Sequence, residues 1–582
     1  MSTYILLEDF KGGLDTRRSA LTSKPGTLQI CTNAHITRGG EIEKRKAFAT
    51  YAALPPGTFG LQSAASTLNV FGSNIAPAMP TGVSYQRLQH KNGVTAMTSL
   101  LSSANFNGKI YAIAGFADGA VYHYYDGVRV SAWDGISTVV GDNTGVAAAL
   151  GSKINAVTPF SATSSLSVVT ITANDVNVAF TAPLVTAVNG GSANNQTLTF
   201  ATTTAASAGV AQVSTITVGG TFEVGDIFTL SLQTAASGTS TTYTFIVSGS
   251  AAGAGITART FQKKLYSTAR SLLYFSVLSN PSLWSDTSTS FGSGFINMSN
   301  ETAGSEDLTA VAAYQQKLAV FSRSAVQLWT IDSDPVKNAQ WQVLSNIGTN
   351  AAKSVTSFGD LDVFFLADSG IRSLRARDAS NAATVSDIGT AIDTLVTADI
   401  ISVGPSVRDA AVGVIEPQDG RYWLAMGPKI YVFSYFPTPG VSAWSTYEPG
   451  FVVSAFSTLA SRVYARSGDT LYLYGGQQNL TYDNCPVNIV LPYLDGGKPA
   501  HAKSLRAVDL TCEGTWGIYS GCNHSAPNVR DLIGTTVGST WDKDSIPGVG
   551  IGTHLGIQLI SNTAGYARIS NCAVHFDINA AS

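Results

Sequence analysis

Pairs of short runs written in period two, each joined by a tight turn, recur along this 582-residue chain and constrain its fold more than any other feature. Lys109-Ile-Tyr-Ala-Ile-Ala114 and Ala120-Val-Tyr-His-Tyr-Tyr125 flank the turn Phe116-Ala-Asp-Gly119, and β-rich runs around an Asp-Gly turn predict a hairpin. The same grammar returns at Leu318-Ala-Val-Phe321 with Ala325-Val-Gln-Leu-Trp-Thr-Ile331, and at Asp362-Val-Phe-Phe-Leu366 with Ile371-Arg-Ser-Leu374. It returns again at Asp419-Gly-Arg-Tyr-Trp-Leu-Ala425 with Lys429-Ile-Tyr-Val-Phe-Ser434, and at Arg462-Val-Tyr-Ala465 with Thr470-Leu-Tyr-Leu-Tyr474. A repeat of roughly 40–55 residues is the period of propeller blades, each a small sheet that hides its faces only against neighbouring blades. Small-residue strands beside the hairpins (Thr309-Ala-Val-Ala-Ala313, Ala410-Ala-Val-Gly-Val-Ile415, Val452-Val-Ser-Ala-Phe456) suit the crowded innermost position. The predicted fold is mainly β, a β-propeller with an inserted small β-rich domain of sandwich or α+β type. An array of β-sandwiches with irregular hairpin spacing is the alternative.

Composition divides the chain further. Residues 141–260 carry only Asp142, Lys153, Asp175, Glu223, Asp226 and Arg259 as charged positions, and their Thr-rich alternation marks an inserted platform domain rather than a linker. The expected organisation is therefore an N-terminal anchoring segment over 1–50, blades over 51–140 and 261–484, and the insert over 141–260. Residues 485–582 then close the propeller or form a small sandwich. Charged residues are 13% of the chain and the net charge is −3, which excludes a polybasic protein that neutralises many phosphates. A hydrophobic content of 44% excludes intrinsic disorder. The start of the sequence has no secretory signal pattern and no window approaches the roughly 18 apolar residues of a spanning helix, so synthesis in a cytosol and no membrane span are expected.

Catalytic constellations are missing. Cys31, Cys485, Cys512, Cys522 and Cys572 are odd in number and scattered, which argues against a disulfide framework, and Cys512 with Cys522 reads as two half-buried small residues. The seven histidines lack metal-ligand spacing. Gly145 to Lys153 has one residue too many for a phosphate loop, and Gly548-Val-Gly-Ile-Gly552 lacks the third glycine of a dinucleotide fingerprint. The carboxylate pairs Asp360/Asp362 and Asp542/Asp544 sit beside turns, where Asp accepts backbone N–H bonds. No enzyme activity, cofactor or metal is expected.

The densest functional-looking segment is the first fifty residues. Phe10-Lys-Gly-Gly-Leu-Asp15, Pro25, Asn33 and Gly39-Gly-Glu-Ile-Glu-Lys-Arg-Lys46 combine glycine turns with a local excess of basic residues that includes Arg17, Arg18 and Lys24. By charge alone this is a solvated or intersubunit face. The arrangement F-x-G-G-[LI]-[DN], then Pro, Asn and G-x-[LI]-x-K-R, resembles the N-terminal signature of the tail nozzle (tail tubular protein B-like) proteins of short-tailed bacteriophages. Phe10, Gly12, Gly13, Leu14, Asp15, Pro25, Asn33, Gly40, Ile42, Lys44 and Arg45 carry the match. Asn280-Pro-Ser-Leu-Trp284 and Leu491-Pro-Tyr-Leu-Asp-Gly-Gly-Lys-Pro499 look like the same family.

The resemblance implies a structural virion protein of the tail, assembled in the bacterial host cytoplasm. It implies a homo-oligomeric ring, usually a hexamer, below a tail adaptor protein, supporting tail fibres or spikes and passing double-stranded DNA during ejection. Phe10, Gly12, Gly13, Asp15, Arg17, Arg18, Asn33, Lys44 and Arg45 are the assembly residues it suggests. A low charge content fits subunit flanks buried in a ring. The rival reading is a glycan-binding propeller for host-surface recognition, with Trp284, Trp329 or Trp423 as sugar platforms.

Overall fold

Hairpins form where alternation and turn chemistry coincide. In a computed structural model the described residues are 3–74, 77–90, 93–130, 133, 143–155, 160–188, 196–220, 226–234, 238, 240–246, 254–285, 291–299, 306–375, 387–541 and 543–578. The chain is mainly β and distributed over many small sheets. Each hairpin expected from the sequence is present, for example Lys109–Phe116 with Val121–Tyr125 around Gly119, whose φ of +82° suits the turn.

Seven antiparallel or mixed sheets follow one another along the body. The first holds Phe59–Ala64, Thr67–Gly72 and Val83–Arg87, and the second Met97–Phe106, Lys109–Phe116, Val121–Tyr125 and Val128–Arg129. The third runs Arg259–Phe261, Lys264–Ala269, Leu272–Phe275 and Gly294–Asn297; the fourth runs Leu308–Tyr314, Lys317–Ser322, Ala325–Thr330 and Ala339–Ser345. The fifth has Thr356–Phe358, Asp362–Ala367 and Gly370–Ser373, and the sixth begins with Val412–Glu416, Arg421–Met426, Lys429–Phe436 and Val441–Tyr447. The seventh combines Ala455–Leu459, Arg462–Ser467 and Thr470–Tyr474 with Phe48–Ala53 from the other end of the chain.

A separate apolar core lies between each sheet and the next. Phe71 and Ile110 join the first to the second, Tyr111 and Leu265 the second to the third, and Leu273 and Val320 the third to the fourth. Phe321 meets Phe365, Phe364 meets Tyr422, and Trp423 meets Tyr474 across the following boundaries. Leu68 and Leu473 then join the first sheet to the seventh. Burying both faces of every sheet this way supplies the aromatic contact that a lone hairpin cannot make.

Residues 143–246 build their own unit. The helix Asn143–Asn155 packs on two sheets, Phe160–Ser165/Val168–Ala173/Val213–Gly219/Thr197–Thr204 and Phe180–Val188/Ile227–Thr234/Ser240–Ile246. Its core, including Val146, Leu150, Ile171, Ile216, Phe228 and Leu230, contains no residue from outside this stretch. The inserted domain is thus an α+β module, and the outermost residues of the expected 141–260 boundary, 141, 142 and 247–253, lie outside the described residues.

The two ends of the chain combine, and here the organisation differs from the expected one. The sequence predicts an anchoring segment over 1–50 and a segment over 485–582 that closes the propeller or forms a small sandwich, without linking the two. Instead Thr3–Leu7, Ala34–Ile36 and Ile42–Lys44 share a seven-stranded sheet with Lys503–Glu513, Arg568–Ile578 and two short strands. Ile30–Thr32 links the sixth sheet to Val487–Val490, Gly556–Ser561, Thr515–Gly521 and Asp531–Val537, making nine strands. Phe10, Ile36, Ile42, Trp516, Leu559 and Phe576 fill the one core between these layers. Strands as short as three residues have too little pattern of their own to reveal such partners.

Candidate assembly site

The F-x-G-G-L-D segment is an internal joint. Phe10 is fully buried, its N–H donates to the Gly40 carbonyl at 2.8 Å, and it accepts from the Gly13 N–H at 2.9 Å. Gly13 has a φ of +56°, and a Cβ there would stand 2.6 Å from that of Ala443. A Cβ on Gly12 would stand 2.8 Å from the Thr27 methyl. Gly13 is needed so that the segment can lie against Val441–Tyr447, and Gly12 so that it can pass Thr27. The Asp15 carboxylate accepts the Arg17 N–H at 3.1 Å, an Asx turn, and Thr16 donates its N–H to the Ala391 carbonyl at 2.9 Å.

Asn33, Lys44 and Arg45 form the second half of the joint. Asn33 adopts a left-handed φ of 58°; its Oδ1 accepts from Arg45 Nε at 2.9 Å and from the Glu448 N–H at 2.8 Å, and its Nδ2 donates to the Pro486 carbonyl at 2.9 Å. Arg45, 1% exposed, pairs with Asp483 at 2.9 Å and lies over the Phe48 ring. Lys44, 0% exposed, donates to the Asp483 carbonyl at 2.7 Å and to that of Thr563. Burial pulls the Lys44 pKa down. Burial pushes the Asp483 carboxyl up, but bonds from Cys485 and the Arg45 charge outweigh it and leave it below its usual range. Nearby, His35 Nδ1 meets the Tyr447 hydroxyl at 2.8 Å, and burial, with Arg421 and Lys46, holds this imidazole well below its ordinary pKa.

The expected solvated or intersubunit face therefore does not hold for Phe10, Gly13, Asn33, Lys44 and Arg45, whose contacts are made within the chain. Gly12 is exposed in outline but wedged by Thr27. Arg17 and Arg18 differ: with Lys24 they project from an exposed loop, and none of the three has an ion pair among the described residues. Basic composition alone does not separate a buried Lys-Arg pair from an exposed one.

The other candidate residues fall into place as turn or core groups. Asp362 accepts the Val363 and Arg375 N–H groups at 2.7 and 3.0 Å, a capping role, while Asp542 lies outside the described residues. Gly145 to Lys153 sits inside a helix, so no phosphate cradle exists there. All five cysteines are free, and burial raises the Cys31 and Cys572 thiols to about 12, far from a reactive thiolate. Among the described residues no group of His, Cys, Asp and Glu could hold a metal, and no helix is long and apolar enough to cross a membrane. Trp423 is buried against Phe48, Tyr447 and Tyr474, which leaves it no face for a sugar; Trp284, tilted at 52° to Tyr111 and edge-on to Trp133, and Trp329 are half-buried.

The feature that sequence reasoning missed is an edge. Asp531–Val537 ends the nine-stranded sheet, bonded on one side only among the described residues. Around it Leu532, Val537 and Trp541 are 54%, 65% and 53% exposed, with Val529, Val549 and Ile551 also open to solvent. Its apolar residues are scattered among Arg530, Asp531, Lys543 and Asp544, so no sequence pattern marks it.

No family model and no curated protein matches this chain. Solved structures with similarity include the allergen Mala s 1 of Malassezia sympodialis, 12% identical over 44% of this chain and 91% of that one, with a TM-score of 0.23. The AfRom2 CNH domain is 10% identical over 60% of this chain and 90% of that one, with a TM-score of 0.23. The extracellular domain of BT4673 from B. thetaiotaomicron is 10% identical over 85% and 68%, with a TM-score of 0.27. Scores this low carry no argument about fold or function.

Proposed function

We propose that the seven sheets are blades of a β-propeller and that this chain is a structural subunit of a phage tail nozzle. In this reading it assembles as a ring below an adaptor, retains and then conducts the genome, and supports fibres or spikes. The propeller part is supported by the order of the cores: each sheet packs on its successor, and the seventh, completed by Phe48–Ala53, packs on the first. First strands of successive sheets neighbour one another around the same circuit, from Phe59–Ala64 through Val412–Glu416 to Ala455–Leu459 and back.

The observation that carries the assembly part is the edge Asp531–Val537, which no further strand pairs among the described residues and on which only Lys543 caps the Val537 carbonyl, with its apolar surroundings. An exposed hydrophobic edge is a liability in a monomer and a docking element in an oligomer. A charge content of 13% agrees with flanks covered by sister subunits. The F-x-G-G-L-D resemblance supplies the particular assembly. Of the platforms named for the glycan-binding alternative Trp423 is buried, and no observation favours sugar binding at the half-buried Trp284 or Trp329.

The purified chain, alone and with the adaptor from the same virion, tests the reading by light scattering and negative-stain imaging. Closed rings are expected, and Leu532→Lys with Val537→Lys lowers the ring fraction at least about tenfold while the monomer stays folded. Monomers at every concentration with the adaptor present, or rings indifferent to both lysines, overturn it.

A further inference from the structure

The first strands of the seven sheets enclose an open cavity of about 700 Å³, and its charges are unbalanced. Three cationic side chains line it, Arg259, Lys353 and Arg466, against the single carboxylate of Asp469. Arg466 is satisfied: it pairs with Asp469 at 3.5 Å and donates to the carbonyls of Gly60 and Gly468 at 2.8 and 2.9 Å. The other two have no carboxylate partner among the described residues.

Lys353 extends from the fifth sheet's approach, the turn Ala352–Ser354, to the Leu100 carbonyl on the second sheet at 3.2 Å. The third and fourth sheets intervene in the circuit, so this ammonium reaches across the cavity. Arg259, on the third sheet, spends one Nη on Ser357 Oγ of the fifth at 3.0 Å, while its buried Nε has no hydrogen-bond partner. Enclosure lowers the pKa of both groups, and no carboxylate acts on either to oppose it. The Lys353 side chain is exposed to the cavity and Arg259 is half-buried, so two positive charges face this space with no carboxylate among the described residues paired to either, and the buried Arg259 N–H donor left unpaired is costly. Such a pair persists where something anionic completes it.

We propose that this cavity binds a compact oxyanion carrying two or more negative charges, held by Lys353 and the guanidinium of Arg259. The chemistry is shared by inorganic phosphate and by small di- or tricarboxylates. Arg466, already bonded, adds field without a direct contact. The cavity exists whichever assembly the chain enters, so binding without rings, or rings without binding, separates this proposal from the nozzle reading.

The experiment compares the full chain with K353M and R259M in thermal unfolding and calorimetric titration. Inorganic phosphate and citrate are the probes, with sodium chloride at matched ionic strength as control. At least one probe raises the Tm by about 2 °C or more and chloride does not. Each variant weakens binding at least about tenfold, the loss of one charge-assisted hydrogen bond. Without ligand, K353M melts no lower than the parent, because it removes an unmatched charge. Should R259M fold poorly, K353M and the parent isotherm decide the matter. Absence of binding by both anions, or binding unchanged in K353M, overturns the proposal; preference for one probe identifies the source.

Discussion

The body of stacked sheets carries two additions, and they are attached in opposite ways. The 143–246 module enters between the second and third sheets, keeps a core of its own, and has almost no charge to place. The terminal sandwich is built from both chain ends and shares the sixth sheet outright, with Arg45 and Asn33 buried and Asp483 half-buried where the parts meet. An insertion that brings its own core can be gained or lost without touching its host. A domain that borrows strands from its host stands or falls with it.

Acid gives the largest separation between the 143–246 module and the rest of the molecule. His123, stacked on Trp133 and bonded to the Tyr111 hydroxyl and the Gly255 carbonyl, is lowered to about 3 by burial, against 6.5 for an ordinary imidazole. The unfolded chain then binds a proton that the folded chain refuses, so stability is complete above about pH 6.5 and falls steadily as pH drops toward 3. The difference amounts to as much as roughly 5 kcal/mol at the acid end. His35 at the joint acts in the same direction, whereas 143–246 contains no histidine. Tryptophan fluorescence, which reports only residues outside the module, is expected to show acid unfolding while hydrogen exchange within 143–246 stays slow. Simultaneous loss would break the comparison.

Arg45→Met comes next. It takes a donor from the buried Asn33 Oδ1 and from Asp483, whose half-buried carboxylate keeps the Cys485 N–H, and losing charge-assisted bonds of this kind costs about 1.5–3 kcal/mol. Urea unfolding of the variant should show that loss in the terminal sandwich and the sixth sheet together. A loss confined to the sandwich would mean the shared strand does not couple them.

The smallest effect is expected from excising 143–246 and joining its flanks with a short Gly-Ser linker. Shortening a loop changes closure entropy slowly, so the body should keep its stability to within about 1 kcal/mol. A larger drop, read by the same urea titration, would show that the module braces the second and third sheets.

The sheets of the body were legible because each strand carries its own alternation and most turns carry Gly or Asp. Several turns were not: Ala65-Ser66, Gln262-Lys263, Gln315-Gln316 and Ala460-Ser461 all take positive φ at both central residues without glycine or asparagine. Tertiary packing of the flanking strands imposes that twist where local preference would not. The signature around Phe10 and Arg45 was legible as special but not in its role, since charge and glycine content are the same for a buried joint and an exposed contact. The cavity cations Arg259 and Lys353 stand 94 residues apart in sequence, with no motif to relate them.

Phe48–Ala53 completes a sheet whose other strands end at Tyr474. On a ribosome, the early strand emerges long before the partners it must join, and the circuit stays open until most of the chain has been made. The molecule is therefore expected to mature late and all at once, and any fragment that stops short of residue 474 should leave that strand unpaired and in need of a chaperone.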